Sequence, residues 1–239
     1  MADTDDGADA GVRDRLAIAL DTDDLEGAVA LARRLQPWFR VAKVGLELFA
    51  AAGPDAARSL AAEGFDVFLD LKLHDIPTTV ARAGRVVGRL GPAYVTLHGA
   101  GGPEMLRAGA DALAEGASEA GRPPPLALAV TVLTSDAGAG PDDVARRAGW
   151  AVDAGCGGVV CAASKVGEVK RIAPRLVAVT PGIRPEGSGS DDHAHASTPA
   201  GALSAGSDLL VIGRAVTAAH DPEDAARRLC EALAVTAGH

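Results

Sequence analysis

The alternation of short apolar runs with longer helical stretches constrains the fold of this chain most. Runs rich in leucine and β-branched residues alternate with stretches rich in alanine, arginine and glutamate, whose apolar residues recur with helical period. This order is typical of repeated β-α units around a parallel sheet. The pattern predicts eight strands, at residues 16–21, 41–45, 67–72, 94–98, 127–133, 158–161, 176–180 and 209–213.

A helical stretch follows each predicted strand. The predicted helices cover residues 25–35, 54–62, 78–89, 103–114, 142–154, 165–172, 199–205 and 221–233. Eight such units close into a (β/α)8 TIM barrel. The alternative, an open doubly wound sheet, would want a G-x-G-x-x-G turn after its first strand, where this chain has Thr-Asp-Asp. We therefore predict a single-domain barrel at residues 15–239, preceded by an acidic, disordered tail at residues 1–14.

Composition excludes several classes of partner. With 239 residues, 48% of them hydrophobic, the chain can build one large core. A net charge of −9 argues against nucleic-acid and anionic membrane surfaces, which both require clustered positive charge. No apolar run approaches the roughly 20 residues that span a bilayer, and the first ten residues lack the basic segment of a secretory signal. We expect a cytoplasmic protein.

Cysteine and histidine give weak signals for metal or disulfide chemistry. Cys156, Cys161 and Cys230 are odd in number and lack C-x-x-C spacing, so we interpret them as small buried apolar residues. His193 and His195 lie in a long polar stretch, residues 184–199, which is typical of a lid or binding loop. No carboxylate or cysteine set of ligand spacing accompanies them, which favours solvated histidines over a metal site.

The predicted strand ends carry most of the candidate functional residues. Barrel enzymes place their chemistry at the carboxyl ends of the strands. Only four of the 23 basic residues are lysines, and Lys43 and Lys72 both lie at strand ends. Lysine can release a proton to a substrate, whereas arginine cannot. The alternative interpretation is an interior lysine whose charge is neutralised by a neighbouring aspartate for structural reasons. The residues at these ends are Asp21, Lys43, Asp70, Lys72, His98, Thr134, Cys161, Arg184, Gly213 and Arg214.

The segment DLKLHDIPTT, at residues 70–79, combines several of these charges. Asp70 and Lys72 are two residues apart on a strand, so we expect both to point into the barrel. Asp75 falls beyond the strand and opens the next helix, with Pro77 in its first turn. Asp75 could alternatively be a simple helix N-cap, although that role leaves the rest of the motif unexplained.

Two glycine-arginine loops suggest a phosphate site. VTPGIRPEG, at 179–187, begins at the end of the seventh predicted strand, and VIGRAVT, at 211–217, begins within the eighth. Backbone N–H groups of Gly182 and Gly213, with the guanidinium groups of Arg184 and Arg214, fit a phosphate held after strands seven and eight. Their occurrence at two adjacent strand ends is stronger evidence than a single I-G-R sequence.

Six motifs together resemble the orotidine 5'-phosphate decarboxylase family. They are ALD at 19–21, KVG at 43–45, DLKLHDIPTT at 70–79, VTVLTS at 130–135, VTPGIRP at 179–185 and VIGR at 211–214. The resemblance runs from about Leu16 to the carboxyl end. It implies a carboxy-lyase that converts orotidine 5'-monophosphate to UMP in pyrimidine synthesis, without a metal or organic cofactor.

The resemblance also implies a role for each matching residue. Lys43, Asp70, Lys72 and Asp75 correspond to an alternating charge network, in which Lys72 donates the proton to ring carbon 6. Asp75 and Thr79 are expected to complete the site of the other subunit in a homodimer. The remaining substrate contacts implied are Asp21 and Lys43 to the ribose, Asp70 beside the substrate carboxylate, Thr134 to the pyrimidine, and Arg184, Gly213 and Arg214 to the phosphate.

The sequence departs from the family pattern at one position and leaves two rival functions. His193 stands where the family usually has glutamine, and an imidazole cannot both donate and accept as an amide does. One rival is a lyase similar to 3-keto-L-gulonate 6-phosphate decarboxylase, which uses magnesium, but Lys43 stands where a metal ligand would be needed. The other is a barrel that binds UMP-like ligands without turnover.

Overall fold

Eight parallel strands close into a barrel in chain order, with the first strand hydrogen-bonded to the eighth. The computed structural model describes residues 10–132, 140, 142–184 and 197–237. The strands are β1 (Leu16–Leu20), β2 (Val41–Val44), β3 (Asp66–Leu73), β4 (Tyr94–His98), β5 (Leu126–Val130), β6 (Gly158–Val160), β7 (Val177–Ile183) and β8 (Leu209–Ile212). The predicted (β/α)8 TIM barrel is confirmed.

Helices surround the barrel and connect successive strands. They are α1 (Ala10–Arg13), α2 (Leu25–Leu35), α3 (Leu46–Ala52), α4 (Pro54–Ala62), α5 (Pro77–Gly88), α6 (Gly102–Glu119), α7 (Asp143–Asp153), α8 (Ala163–Ile172), α9 (Pro199–Ser204), α10 (Arg214–Thr217) and α11 (Pro222–Ala237). A 3-10 turn, Gly99–Gly101, precedes α6. The bounds predicted for α2 and α4 are confirmed, whereas α1, α3 and α10 were not predicted.

Helix α2 shows how local sequence sets an element. The Asp24 side chain accepts a hydrogen bond from the Gly27 N–H at 3.0 Å, which satisfies one of the free donors of the first turn. Ala28, Ala32 and Leu35 then recur at helical spacing and are buried against the sheet. The cap and the apolar stripe together fix both the start and the orientation of this helix.

Many predicted boundaries differ from the structure, among them the ends of β5 and β7 and that of the predicted tail. β5 ends at Val130 rather than at residue 133, and residue 133 itself lies outside the described residues. β7 does not end at Thr180 but continues to Ile183, because Gly182, with a φ of 75°, allows a register shift instead of a break. Within the predicted tail, Ala10–Arg13 form a helical turn whose Val12 packs into the core.

Alternation along the strands separates two apolar clusters. Val95 and Leu97 of β4 face the helices, whereas Phe68 of β3 and Tyr94 of β4 face the interior of the barrel, with ring centroids 5.8 Å apart. The interior cluster consists of Ala17, Ala19, Val41, Phe68, Leu128, Val179, Leu209 and Val211. The inward-facing positions recur at every second residue along a strand and continue toward the carboxyl-terminal end of the barrel.

Helices α5 and α6 pack at unusually short range through glycines. A Cβ atom on Gly116 would lie 2.0 Å from the carbonyl oxygen of Arg85, and one on Gly88 would lie 2.2 Å from that of Leu113. Both obstacles are backbone atoms, so a side chain at either position would force the two helices apart. These glycines are therefore required by space rather than by backbone conformation.

We expect Gly116→Ala to destabilise the protein by about 1–3 kcal/mol, the usual cost of overpacking a closed interface. The matched controls are Gly149→Ala in α7 and Gly167→Ala in α8, since a Cβ there meets nothing within 4 Å. Those two changes should raise stability, because alanine is favoured over glycine within a helix by up to ~1 kcal/mol. Urea unfolding midpoints measure all three, and a Gly116 variant as stable as the parent would contradict the packing argument.

The three cysteines are free and buried, as predicted. Burial raises the pKa of the Cys156, Cys161 and Cys230 thiols to about 12. The thiols therefore stay protonated at neutral pH and behave as apolar side chains. Within the described part of the chain, no helix is long and apolar enough to cross a membrane.

Candidate active site

A cavity of about 170 Å³ opens at the carboxyl-terminal end of the barrel, where the sequence predicts the chemistry to lie. One side of it carries charged groups from β2 and β3, and the other is apolar. The lining residues are Lys43, Phe68, Asp70, Lys72, Val130, Val132, Val160, Cys161, Ala162, Val179, Pro181 and Val211. A ligand in this cavity would thus meet fixed charges on one face and hydrocarbon on the other.

Four of the predicted residues form a continuous row of alternating charge. The ammonium of Lys43 lies 2.9 Å from an oxygen of Asp21 and 3.8 Å from an oxygen of Asp70. The other Asp70 oxygen lies 2.8 Å from the ammonium of Lys72. The Lys43 side chain is 9% exposed, and its ammonium is paired with the carboxylates that flank it. Lys72 is 31% exposed and faces the cavity.

Gly45 makes room for the Asp21–Lys43 pair. A Cβ atom at this position would lie 2.5 Å from Asp21 Oδ1 and 3.2 Å from Lys43 Nζ. The backbone of Gly45 has an ordinary extended conformation. The glycine of the KVG motif is therefore explained by the space that the ion pair needs.

The backbone at Lys72 departs from the predicted alternation. Its φ is 48°, a left-handed value that is uncommon outside glycine. The pairing of β3 with β4 shifts between Leu69 and Leu73, so the strand carries a bulge where regular pleating was predicted. The side chains of Asp70 and Lys72 still form an ion pair, although the backbone at Lys72 is strained. Such strain is concentrated at functional sites.

Asp75 and Thr79 lie outside the cavity on the surface of the described chain. Both are exposed, and the Asp75 carboxylate accepts a hydrogen bond from the N–H of Ile76 at 2.7 Å. Within the described residues Asp75 forms no ion pair with Lys72. Helix α5 begins at Pro77 with Ile76 as its N-cap and no side-chain cap, so the alternative that Asp75 is a simple N-cap is wrong.

The predicted phosphate-binding residues lie at the ends of β7 and β8. Arg184 directly follows β7, and its N–H donates to the Ser197 carbonyl at 3.1 Å. The Ser197 N–H in turn donates to the Gly182 carbonyl at 3.3 Å, so residues 184 and 197 are joined at the base of the predicted lid. Gly213 precedes α10, and Arg214 is the first residue of that helix. Arg214 lines a cleft that Asp21 also lines.

Two predicted contacts fall outside the described residues. Thr134 belongs to the segment 133–139, and His193, with its neighbour His195, belongs to 185–196. The pyrimidine contact and the lid contact therefore stay predictions. Of the other strand-end residues, Cys161 lines the cavity, and His98 Nδ1 accepts a hydrogen bond from the Ala100 N–H at 3.2 Å.

One buried residue of the site was not predicted from the sequence. Thr96 of β4 has no solvent exposure and donates a hydrogen bond to Asp70 Oδ1 at 3.0 Å. The same hydroxyl oxygen accepts the Lys72 N–H at 2.9 Å. Its signal in the sequence is its position: Thr96 follows Tyr94 by two residues on β4 and so faces the barrel interior.

Fold and site together define a class of protein, a (β/α)8 barrel that holds paired lysine and aspartate charges at its strand ends. Residues 14–229 match the model of the orotidine 5'-phosphate decarboxylase / HUMPS family. The chain belongs to this family. The resemblance drawn from the six motifs is thereby confirmed.

Individual relatives agree with the family match. The orotidine 5'-phosphate decarboxylase of Moorella thermoacetica is 44% identical over 229 residues, covering 91% of each chain. That of Nitratidesulfovibrio vulgaris is 47% identical over 236 residues, covering 92% of this chain and 97% of the relative. The crystal structure of the Lactobacillus acidophilus orotidine 5'-phosphate decarboxylase superimposes with a TM-score of 0.78 at 33% identity, covering 91% and 98%. The family match and these relatives confirm the prediction of a carboxy-lyase.

Proposed function

We propose that the enzyme converts orotidine 5'-monophosphate to UMP and carbon dioxide in pyrimidine biosynthesis. The observation that carries this proposal is the row Asp21–Lys43–Asp70–Lys72 at the mouth of the barrel, in a chain whose relatives carry that enzyme's name. The direct test is the loss of ultraviolet absorbance when the purified protein is added to orotidine monophosphate. Unchanged absorbance with a folded protein would reject the assignment.

The cavity suggests how the pyrimidine lies. Its volume of about 170 Å³ is below the roughly 300–1,000 Å³ of sites that enclose a whole ligand, so it would hold the ring while ribose and phosphate extend outward. Val130, Val160 and Pro181 offer an apolar surface opposite Lys72. The reacting carbon would then face the ammonium in a site with little water, where charge interactions are strongest.

Lys72 is the proposed proton donor. When the bond between ring carbon 6 and the carboxylate breaks, carbon dioxide leaves and the electron pair stays on carbon 6. The ammonium of Lys72 stabilises that charge and transfers a proton from Nζ to the carbon, which completes UMP. Lys72 is left neutral and regains its proton from water after product release.

Asp70 and Lys43 hold this ammonium in place. Asp70 accepts from Lys72 on one oxygen and faces Lys43 with the other, so its carboxylate is fixed from both sides. Its charge would lie near the substrate carboxylate, and the repulsion between the two disappears as neutral carbon dioxide departs. Lys43 and Asp21 are the proposed contacts to the ribose hydroxyls, with Thr134 on the pyrimidine and His193 at the lid.

The enzyme is proposed to act as a homodimer with shared sites. Asp75 and Thr79 are exposed at the rim, and Asp75 forms no ion pair with Lys72 of its own chain within the described residues. Ile76, between them, is 66% exposed and offers an apolar side chain that a second copy could cover. A second copy that covers this rim would bury Ile76 and bring the Asp75 carboxylate to its partner's Lys72.

The proposed phosphate site gives a specific binding prediction. Arg214→Ala is expected to weaken UMP binding by about one to two powers of ten, since a charge-assisted hydrogen bond contributes roughly 1.5–3 kcal/mol. Binding of uridine, which lacks the phosphate, should change little. Titration calorimetry with both ligands measures the difference, and Arg58→Ala on the exposed surface of α4 is the matched control. Equal losses for both ligands would remove Arg214 from the phosphate site.

Both rival functions make different predictions. In a magnesium-dependent lyase of the same barrel type, carboxylates must converge on the ion. Here the Lys43 ammonium lies between the Asp21 and Asp70 carboxylates and occupies the position of such a cation. Turnover of orotidine monophosphate in the presence of EDTA would exclude that lyase. Binding of UMP without turnover would instead support a barrel that only senses nucleotides.

A further inference from the structure

Thr96 lies opposite the bulge that places Lys72. Leu69 of β3 pairs with Val95 of β4, and Leu73 pairs with Leu97. Three residues of β3 therefore face the single residue Thr96. A backbone N–H in such a bulge has no regular partner on the neighbouring strand. The Thr96 hydroxyl supplies one, because its oxygen accepts the Lys72 N–H at 2.9 Å.

The hydrogen bonds of Thr96 form a closed ring that begins and ends on Lys72. The Lys72 N–H donates to Thr96 Oγ1. That hydroxyl donates to Asp70 Oδ1 at 3.0 Å, and the Lys72 ammonium donates to the same oxygen at 2.8 Å. The direction of each bond is fixed, because an ionised carboxylate only accepts and a backbone N–H only donates. One hydroxyl thus binds both the backbone of Lys72 and the carboxylate that holds its side chain.

This ring bears on the strain at Lys72. A left-handed backbone at a residue other than glycine persists only where the surroundings over-determine it. Thr96 is fully buried and sits on the regular part of β4, whose pairing with β5 is unbroken from Tyr94 to His98. It therefore provides a rigid reference against which the bulge is fixed.

We propose that Thr96 is a positioning residue for the decarboxylation, which sets the place of the Lys72 ammonium through the bulge and through Asp70. The inference rests on the proposed function for its kinetic part. Thr96 lies below the cavity and does not line it, so it acts on the reaction through Lys72 and Asp70. Its loss should lower the rate of the chemical step and leave nucleotide affinity nearly unchanged.

The test compares Thr96→Val, which keeps the shape but removes the hydroxyl, with Thr96→Ser, which keeps the hydroxyl. We expect the valine variant to lose at least about tenfold in kcat, the effect of one hydrogen bond to a charged group. The UMP dissociation constant should stay within about threefold, and serine should restore most of kcat. A valine variant with parental kcat, or serine and valine variants that are equally slow, would overturn the proposal.

A matched control separates positioning from loss of a buried hydroxyl. Thr180 of β7 is equally buried, and its hydroxyl pairs with Ser207 at 2.7 Å, away from the cavity. Thr180→Val should lower stability but not kcat. If Thr96→Val does not fold, the kcat of Thr96→Ala is compared with that of Thr96→Ser instead. The proposal then requires the alanine variant to be slow and the serine variant to keep most of kcat.

A second readout does not depend on turnover. Hydrogen exchange at the Lys72 amide should be faster in Thr96→Val than in the parent or in Thr96→Ser, because the amide loses its acceptor. Unchanged exchange would overturn the assignment even in an active enzyme. A parent without turnover would reject the proposed function, while this exchange measurement would still decide the role of Thr96.

Discussion

Lys72→Ala should lower turnover of orotidine monophosphate by roughly 10⁴-fold or more while UMP still binds. General acid catalysis contributes ~10²–10⁴ to a rate, and charge stabilisation of the transition state adds to it. Both effects depend on one ammonium, which the structure holds 2.8 Å from Asp70 at the cavity wall. The proposed ribose and phosphate contacts are made by other residues, so affinity for UMP should survive. The fall in ultraviolet absorbance measures turnover.

Two substitutions make this result specific. Lys72→Arg keeps a positive charge but cannot release a proton, so it should be nearly as slow as alanine if proton transfer limits the rate. Lys165→Ala removes a partly exposed lysine, paired with Glu168 on α8, and should leave turnover unchanged. An alanine variant at position 72 that kept more than a tenth of parental turnover would show that another group donates the proton.

Mixing two inactive variants should restore activity if the sites are shared. A Lys72→Ala chain and an Asp75→Ala chain each damage a different half of a site, because Asp75 is expected to act in the partner's site. In a mixed dimer one site receives both substitutions and the other receives neither. With random pairing at equal amounts about half of the dimers are mixed, so activity should approach roughly a quarter of the parental value.

This experiment requires evidence that subunits exchange. A fluorescent label on one variant, followed by energy transfer to the other, shows whether mixed dimers form. Two variants with the same lesion, Lys72→Ala labelled and unlabelled, are the control and should stay inactive. If mixed dimers form and no activity returns, Asp75 serves its own chain and the shared site must be abandoned.

The barrel was predictable because its signals are local and repeated. The bounds of β4, α2 and α4 agree with the prediction, since each combines a clear apolar period with a turn or cap at its ends. Helix α3 was missed because it has only seven residues, its N-cap Gly45 offers no side-chain cap, and its first residue, Leu46, is 59% exposed. Nothing in so short a segment distinguishes a helix from a loop.

The site was predictable as a set of residues but not in its local geometry. Strand ends in a barrel converge, so Lys43, Asp70 and Lys72 were expected together, and the structure joins them with Asp21. The bulge at Lys72 was not foreseen, because a period of two describes regular pleating and carries no sign of an inserted residue. Thr96 was overlooked because threonine in a strand is ordinary by propensity alone.

The left-handed backbone of Lys72 has a consequence for laboratory evolution. Glycine adopts a φ of 48° without penalty and asparagine with little, whereas lysine carries a strain of the order of 1–3 kcal/mol. A library screened for thermal stability alone would therefore enrich glycine or asparagine at position 72, and its most stable members would be catalytically inactive. Conservation of lysine there under such a screen would measure how much its contact with Asp70 offsets the strain.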